Sequence, residues 1–150
     1  MVQQTPQALA TLYETDETAW LDATADLIRR GHWDHIDAVT LSEYLSDMAR
    51  RDRREVINRL AVLIAHLLKW RYQPDRRSMS WRGTVEVQRQ ELVGLLESGT
   101  LRNHAAEVLP RAYANAVRQA SEETGLPDTG FPVDCPYALQ DVLDRPIDAV

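Results

Sequence analysis

His66 is the side chain in this sequence that is best placed for chemistry, because it interrupts a strongly apolar stretch of helical spacing. A histidine withdrawn from water can act as an acid or base near neutral pH, or as a metal ligand. The sequence has no His-Glu-x-x-His run and no Glu-x-x-His pair, which are the spacings typical of helical metal sites. The residues that could complete a site with His66 are Glu43, Asp47, His32, His35 and His104. We keep His66 with Glu43 as the candidate catalytic pair and His66 as the candidate metal ligand. The alternative is that His66 makes a hydrogen bond that fixes helix packing.

Two further residues could act as nucleophiles. Lys69 is the only lysine of the chain, and a desolvated lysine can become nucleophilic. No neighbouring residue supports that role, and a lysine at a helix end more often extends its ammonium into water. Cys135 is the only cysteine. The adjacent Asp134 disfavours a thiolate, so we interpret Cys135 as a small buried residue.

A basic stretch interleaved with aromatic residues runs through the middle of the chain. Cations combined with aromatic rings can bind single-stranded nucleic acid through charge and stacking. Arg50 and Arg54 lie four residues apart and share one side of a helix, where we expect an acidic partner. The alternative is that these cations are paired within the fold, because Asp47–Arg51 and Glu55–Arg59 are acid-first pairs of the spacing that stabilises a helix. The candidate binding-surface residues are Arg50, Arg54, Lys69, Trp70, Tyr72 and Trp81.

The charge of the chain is segregated along its length. The formal net charge is −6, yet residues 49–89 carry eleven bases and four acids. A negative net charge argues against binding to nucleic acid, although the basic middle of the chain can still form a local basic face. The single cysteine favours a reducing, cytoplasmic location. The chain does not begin with basic residues followed by an apolar run, so we expect no signal peptide. It has no apolar stretch of 18 residues, so we expect no membrane span.

The elements that must position these residues are all helical in pattern. We predict an all-α fold: a single-domain bundle of five to six helices over residues 1–150, with a central helix near 53–72. Residues 126–136 are predicted to form an extended, proline-containing connection to a short C-terminal helix. One apolar stripe consists of Leu41, Leu45 and Met48. A wider one consists of Val56, Ile57, Leu60, Leu63, Ile64, Leu67 and Leu68.

The breaks and caps follow from local chemistry. The two apolar stripes could lie on one long helix or on two. We favour a kink or short break near Asp52, because residues 50–54 are all charged and offer no apolar anchor. Proline removes a backbone donor, so Pro110 should break or kink the last long helix. The expected N-terminal positions are Asp16, Thr40 or Ser42, Ser80 and Thr100, and Gly125 should end the last long helix.

Several motifs in a fixed order resemble a known family. They are His66-Leu67-Leu68-Lys69-Trp70, Tyr72, Pro74, Ser80-Trp81 and Cys135-Pro136-Tyr137, preceded by Asp16, Trp20, Asp37, Leu41 and Glu43. They resemble the bacterial domain of unknown function, family twenty-nine, over about residues 10–145. This chain departs from many relatives by carrying Glu43-Tyr44 where they have two adjacent acids. The resemblance implies a small all-α bacterial domain, and it implies no activity and no catalytic residue.

These observations favour a non-enzymatic helical interaction domain whose partner is a macromolecule, most naturally a protein, with no cofactor. One alternative is a metal-dependent helical-bundle enzyme that uses His66 with carboxylates. Another is nucleic-acid binding through the basic face of residues 50–82. The oligomeric state does not follow from the sequence.

Overall fold

The computed structural model describes residues 5–150. The expectation that the chain has no signal peptide rests partly on residues 1–4, which lie outside the described residues. The described residues contain α-helices and 3-10 turns but no strand, which confirms the all-α prediction. The α-helices are α1 (Pro6–Thr15), α2 (Glu17–Arg29), α3 (Ala38–Tyr72), α4 (Met79–Leu95), α5 (Gly99–Thr124) and α6 (Leu139–Asp144). The contacts divide the chain into two compact units, one ending at Met48 and the other spanning Ala49–Val150. A single domain over residues 1–150 stays a prediction.

The first unit is built around Trp20. Its side chain is 1% exposed and packs with Leu9 and Tyr44. The ring centroids of Trp20 and Tyr44 lie 5.5 Å apart, a separation at which aromatic pairs attract. As predicted, Asp16 begins the helix that carries Trp20, and its carboxylate accepts a hydrogen bond from the backbone N–H of Ala19 at 3.0 Å. The cap and the aromatic contacts together fix α2 in this unit.

Helix α3 differs from the prediction in two ways. It begins at Ala38, where the Asp37 carboxylate accepts from the backbone N–H of Thr40 at 3.1 Å, and it continues to Tyr72 without the break expected near Asp52. Its sequence holds neither proline nor glycine, and its charged residues are mostly good helix formers. An all-charged stretch lacks a core anchor, but it does not interrupt backbone hydrogen bonding. The predicted stripe is also wrong in part, because Leu45 and Met48 are 56% and 47% exposed.

The second unit has its core along the C-terminal half of α3. All seven residues of the wider predicted stripe are buried there. They pack with Val85 and Leu92 of α4 and with a row of α5 side chains. That row consists of Leu101, Ala105, Val108, Ala112, Tyr113, Ala116 and Ala120. The central helix predicted near 53–72 is therefore present as part of a longer helix.

The helix ends in this unit follow ordinary capping chemistry, shifted from the predicted residues. Ser78 rather than Ser80 caps α4, and Ser98 caps α5, which begins at Gly99. Pro110 lies inside α5 and does not end it. Gly125 ends α5 as predicted, in the left-handed conformation with φ +75° that glycine adopts without strain.

The connection after α5 is held to the core at two places. The hydroxyl of Tyr113 donates to the carbonyl of Pro132 at 2.6 Å, and Phe131 is buried. Arg89 of α4 then donates to the carbonyl of Arg145 at 2.7 Å and to that of Val142 at 3.0 Å. These carbonyls lie at the end of α6, where a helix has no partners of its own. The short C-terminal helix predicted after residues 126–136 is thus present as α6.

Candidate functional site

The second unit contains a buried polar cluster where α3, α4 and α5 meet. Lys69 is 5% exposed and His66 is 9% exposed, so neither side chain extends into water. The Lys69 ammonium forms an ion pair with the carboxylate of Glu123, which lies in the last turn of α5. The Trp81 ring of α4 covers this ammonium, with its centroid 4.7 Å from Nζ. The lone lysine is therefore a core residue that contacts Glu123 and Trp81, rather than a helix-end cation directed into water.

The hydrogen bonds of His66 define which nitrogen carries its proton. Nδ1 lies 2.8 Å from the backbone carbonyl of Val62, and Nε2 lies 3.4 Å from Nζ of Lys69. A carbonyl can only accept and an ammonium can only donate. In the neutral imidazole, Nδ1 therefore donates to Val62 and Nε2 accepts from Lys69. This arrangement is the hydrogen-bonded alternative that the sequence left open for His66.

The electrostatics of the cluster follow from burial and from the ion pair. Burial lowers the pKa of His66 below its ordinary value, and the positive charge of Lys69 lowers it further. Burial acts to raise the pKa of Glu123, but the hydrogen bonds from Lys69 and Gln119 and the positive charge of Lys69 together outweigh it, and the pKa is lowered. At neutral pH the cluster thus holds a neutral histidine beside an ammonium–carboxylate pair.

The aromatic candidates from the sequence lie mostly inside the fold. Trp70 is 6% exposed, and Tyr72 and Trp81 are half-buried. The guanidinium carbons of Arg77 and Arg82 lie 5.0 and 4.9 Å from the Trp70 ring centroid. The faces of these tryptophans are thus covered by cations of the chain itself. They do not offer an open platform on which a nucleotide base could stack.

The arginine pair from the sequence lies in a different environment. We define the arginine segment as residues 49–54 of α3, all of which are exposed. At 100° per residue, the four arginines spread over one side of the helix, and Asp52 points to the opposite side. They are Arg50, Arg51, Arg53 and Arg54. A continuous helix therefore presents four guanidinium groups on one face within about 6 Å of helix length.

The remaining candidates from the sequence lie within one unit or the other. Glu43 is exposed and belongs to the first unit, whereas His66 belongs to the second. Within residues 5–150, no group of three histidine, cysteine, aspartate or glutamate residues is arranged to hold a metal ion. Cys135 donates to the carbonyl of Tyr137 at 3.4 Å, and burial raises the pKa of its thiol. The described part of the chain also contains no helix that is long and apolar enough to cross a membrane.

Glu123 is the residue of the cluster that sequence reasoning missed. It lies 54 positions from Lys69, and a bonding distance between them depends on how α5 packs against α3. A signal existed in the sequence, because a lone lysine next to an apolar stripe requires a carboxylate if it is buried. The sequence does not say which of its carboxylates that is.

The comparison with protein families explains the order of motifs described above. The model of the family described as domain of unknown function DUF29 matches residues 12–146. The chain belongs to this family. The resemblance inferred from the residues is confirmed, and His66, Lys69 and Glu123 all lie within the matched range. No curated protein and no solved structure matches the chain.

Proposed function

We propose that this chain is a non-enzymatic helical interaction domain of the bacterial cytoplasm that binds an acidic surface on a partner protein through the arginine segment. The observation that carries the proposal is the exposure of residues 49–54 together with their four arginines. A rigid helix presents these groups without the cost of ordering a loop on binding. Arginine is also well suited to an interface because its planar guanidinium can bind a carboxylate with two parallel hydrogen bonds.

Several basic residues of the second unit join its helices and its C-terminal segment, whereas the arginines of the arginine segment are exposed. Arg59 joins α3 to α4 by donating to Gln88 at 3.2 Å and by an ion pair with Glu91 at 3.5 Å. Lys69 pairs with Glu123, and Arg82 donates to Asp148 at 2.9 Å. Replacing Arg59 or Arg82 would remove contacts between elements of the second unit. The arginine segment can be changed with much less effect on the core, which makes it a surface that can be tested cleanly.

A protein partner is favoured over nucleic acid by the aromatic residues. Binding of single strands usually combines cations with exposed rings on which bases stack. Here Trp70 is buried beneath two guanidinium groups, and Trp81 faces the Lys69 ammonium. The arginine segment itself contains no aromatic residue, and its positive charge fits the carboxylates of an acidic protein.

The cluster around His66 does not favour the metal-enzyme alternative. The Lys69 ammonium lies 3.4 Å from Nε2, the nitrogen that a metal ion would need. A second cation at this place would meet the charge of Lys69 and would compete with it for Glu123. The cluster is arranged as an internal ion pair, so we assign it to the stability of the second unit.

The experiment is affinity capture from a lysate of the organism that encodes the chain, followed by quantitative mass spectrometry. It compares the wild type with Arg50→Glu/Arg54→Glu. The matched control is Arg111→Glu/Arg118→Glu, which makes the same charge change at exposed positions of α5. Each capture is repeated after nuclease treatment, and the melting temperature of each variant is measured.

We expect one protein near equal stoichiometry with the wild type and the control, and its loss with the segment variant. Recovery should be unchanged by nuclease, and the segment variant should melt within a few degrees of the wild type, because exposed substitutions usually change stability by less than about 0.5 kcal/mol. The proposal is wrong if the segment variant retains the protein. It is also wrong if nuclease abolishes recovery, which would instead indicate nucleic-acid binding.

A further inference from the structure

We infer that the partner of the arginine segment is a second copy of this chain, whose own α3 supplies the acidic surface in an antiparallel arrangement. This inference rests on the proposed function, because it names the partner that the arginine segment binds. It is carried by four exposed residues of α3, which we call the charge stripe. They are Glu43, Asp47, Arg50 and Arg54.

The charge stripe follows one line along the helix. At 100° per residue, its four members lie within about 60° of one another around the axis, and the stripe is about 17 Å long. Glu43 and Asp47 come before Arg50 and Arg54, so one end of the stripe is acidic and the other end is basic. All four residues are exposed, and so is every residue from 45 to 54. The stripe is therefore open to solvent along its length.

The spacing of the charge stripe is the same when it is read backwards, because its members are separated by four, three and four residues. Two copies of α3 can lie antiparallel with their centres between positions 48 and 49. Glu43 of one copy is then opposite Arg54 of the other, and Asp47 is opposite Arg50. Two-fold symmetry repeats both contacts, which gives four pairs in all. Every member of the stripe therefore faces an opposite charge.

Other pairings of two copies are less favourable electrostatically. A parallel pair in register places each carboxylate beside the same carboxylate and each guanidinium beside the same guanidinium. Like charges that face each other across an interface destabilise it. An antiparallel pair that is shifted by four residues retains only two of the four pairs. The charge stripe therefore selects one orientation and one register.

Interactions within one copy can be exchanged for those between copies. Asp47 and Arg50 both have interactions within the chain. Ion pairs between exposed side chains contribute little to stability and are screened by salt. We therefore expect a weak association that depends on salt and that owes its specificity to charge.

Sedimentation equilibrium of the full chain measures this association. Low salt, about 0.01 M, lets charges act over about 30 Å, whereas about 1 M salt reduces this range to about 3 Å. Protein concentrations up to about 1 mM make dissociation constants of that order measurable. The wild type should form dimers at low salt and dissociate at high salt. A wild type that stays monomeric at low salt, or dimers that are equally stable at both, would overturn the inference.

Two variants give the whole stripe a single sign. Glu43→Arg/Asp47→Arg makes it basic, and Arg50→Glu/Arg54→Glu makes it acidic. The dimer of either variant alone should dissociate at least about a hundredfold more readily than that of the wild type, because all four pairs become pairs of like charge. An equimolar mixture should form a one-to-one heterodimer, because each position again faces an opposite charge. The inference is wrong if the mixture stays monomeric or if either variant dimerises as the wild type does.

The matched controls make the same charge changes at exposed positions of α5. They are Glu107→Arg/Glu122→Arg and Arg111→Glu/Arg118→Glu. Both should dimerise like the wild type, because α5 contributes no residue to the stripe. Equal loss of the dimer in these controls would trace the association to net charge and would refute the assigned surface.

A swapped stripe tests the register without a change in net charge. The variant Glu43→Arg/Asp47→Arg/Arg50→Glu/Arg54→Glu should dimerise with itself, because its charges are again complementary in the antiparallel arrangement. It should not pair with the tagged wild type, since like charges meet at all four places. Free pairing with the wild type would contradict the register. This variant decides the matter if a single-sign variant does not fold, as judged by circular dichroism.

Capture from the lysate separates a failure of this inference from a failure of the proposed function. The captured protein should be this chain itself, and the two single-sign baits should reduce its recovery equally, because each retains two of the four pairs. A different protein that is lost only with Arg50→Glu/Arg54→Glu would overturn the inference and leave the proposed function intact. Undiminished recovery with both baits would overturn both.

Discussion

The ion pair between Lys69 and Glu123 predicts an unequal response to the loss of either partner. The Lys69 side chain is 6% exposed, and that of Glu123 is 40% exposed. Glu123→Ala leaves a buried ammonium with no carboxylate, a change that costs about 3 kcal/mol in comparable buried pairs. Lys69→Met leaves a carboxylate that can turn into water, so the cost should be about 1 kcal/mol or less. The residue at the surface should therefore matter more than the residue in the core.

Urea unfolding at pH 7.5, followed by far-ultraviolet circular dichroism, measures the difference. With a slope of about 2 kcal/mol per molar urea for a chain of this size, Glu123→Ala should lower the midpoint by about 1.5 M and Lys69→Met by about 0.5 M or less. The double variant Lys69→Met/Glu123→Gln removes both charges, and it should lie close to Lys69→Met. The reasoning fails if Lys69→Met is as destabilising as Glu123→Ala, or if Glu123→Ala has no effect.

Three further predictions concern the helices of the second unit, and urea unfolding checks each of them. Gly94 is exposed within α4, and a Cβ added there meets nothing within 4 Å; Gly94→Ala should raise the free energy of unfolding by about 1 kcal/mol. Gly125→Ala should lower it by about 1 kcal/mol, because φ is +75° at that position; equal effects of the two substitutions would contradict the assigned backbone conformations. Pro110 is exposed within α5 and cannot donate to the preceding turn. Pro110→Ala should raise the free energy of unfolding by about 1–3 kcal/mol, and a loss of stability would show that α5 requires the proline.

The apolar pattern of α3 shows why much of the fold could be predicted from the sequence. Val56 to Leu68 repeat with the helical period, and the buried side of a helix follows directly from that period. The same reasoning failed for Leu45 and Met48, which have similar spacing but are exposed. Periodicity states which residues share a side of a helix. It does not state whether another element covers that side.

The break expected near Asp52 shows a second limit. The absence of an apolar anchor was taken as a reason for the helix to end, yet helix continuity depends on backbone hydrogen bonds and residue propensity. Neither proline nor glycine interrupts residues 38–72. The arginine segment is therefore part of a continuous helix, which places the Cα atoms of its four arginines in a fixed arrangement.

The sequence predicted individual residues of the candidate site, but it did not predict how they are arranged. His66 and Lys69 stood out because of their types and their position beside the apolar stripe. Their environment depends on Glu123 and Trp81, which lie on other helices and at no fixed spacing from them. The sequence therefore identified two residues of notable chemistry. It could not show that Lys69 donates to His66 and pairs with Glu123 inside the fold.

The most direct test of the interaction proposal is a binding measurement with the purified partner that capture identifies. Isothermal titration calorimetry should compare the wild type, Arg50→Glu/Arg54→Glu and Arg111→Glu/Arg118→Glu at one salt concentration. Reversal of two interface charges should weaken binding by about a hundredfold or more, which corresponds to at least about 1.4 kcal/mol for each arginine. The control should bind within about threefold of the wild type, as expected for charges outside an interface. Equal affinities of the three proteins would show that the arginine segment is not the binding surface.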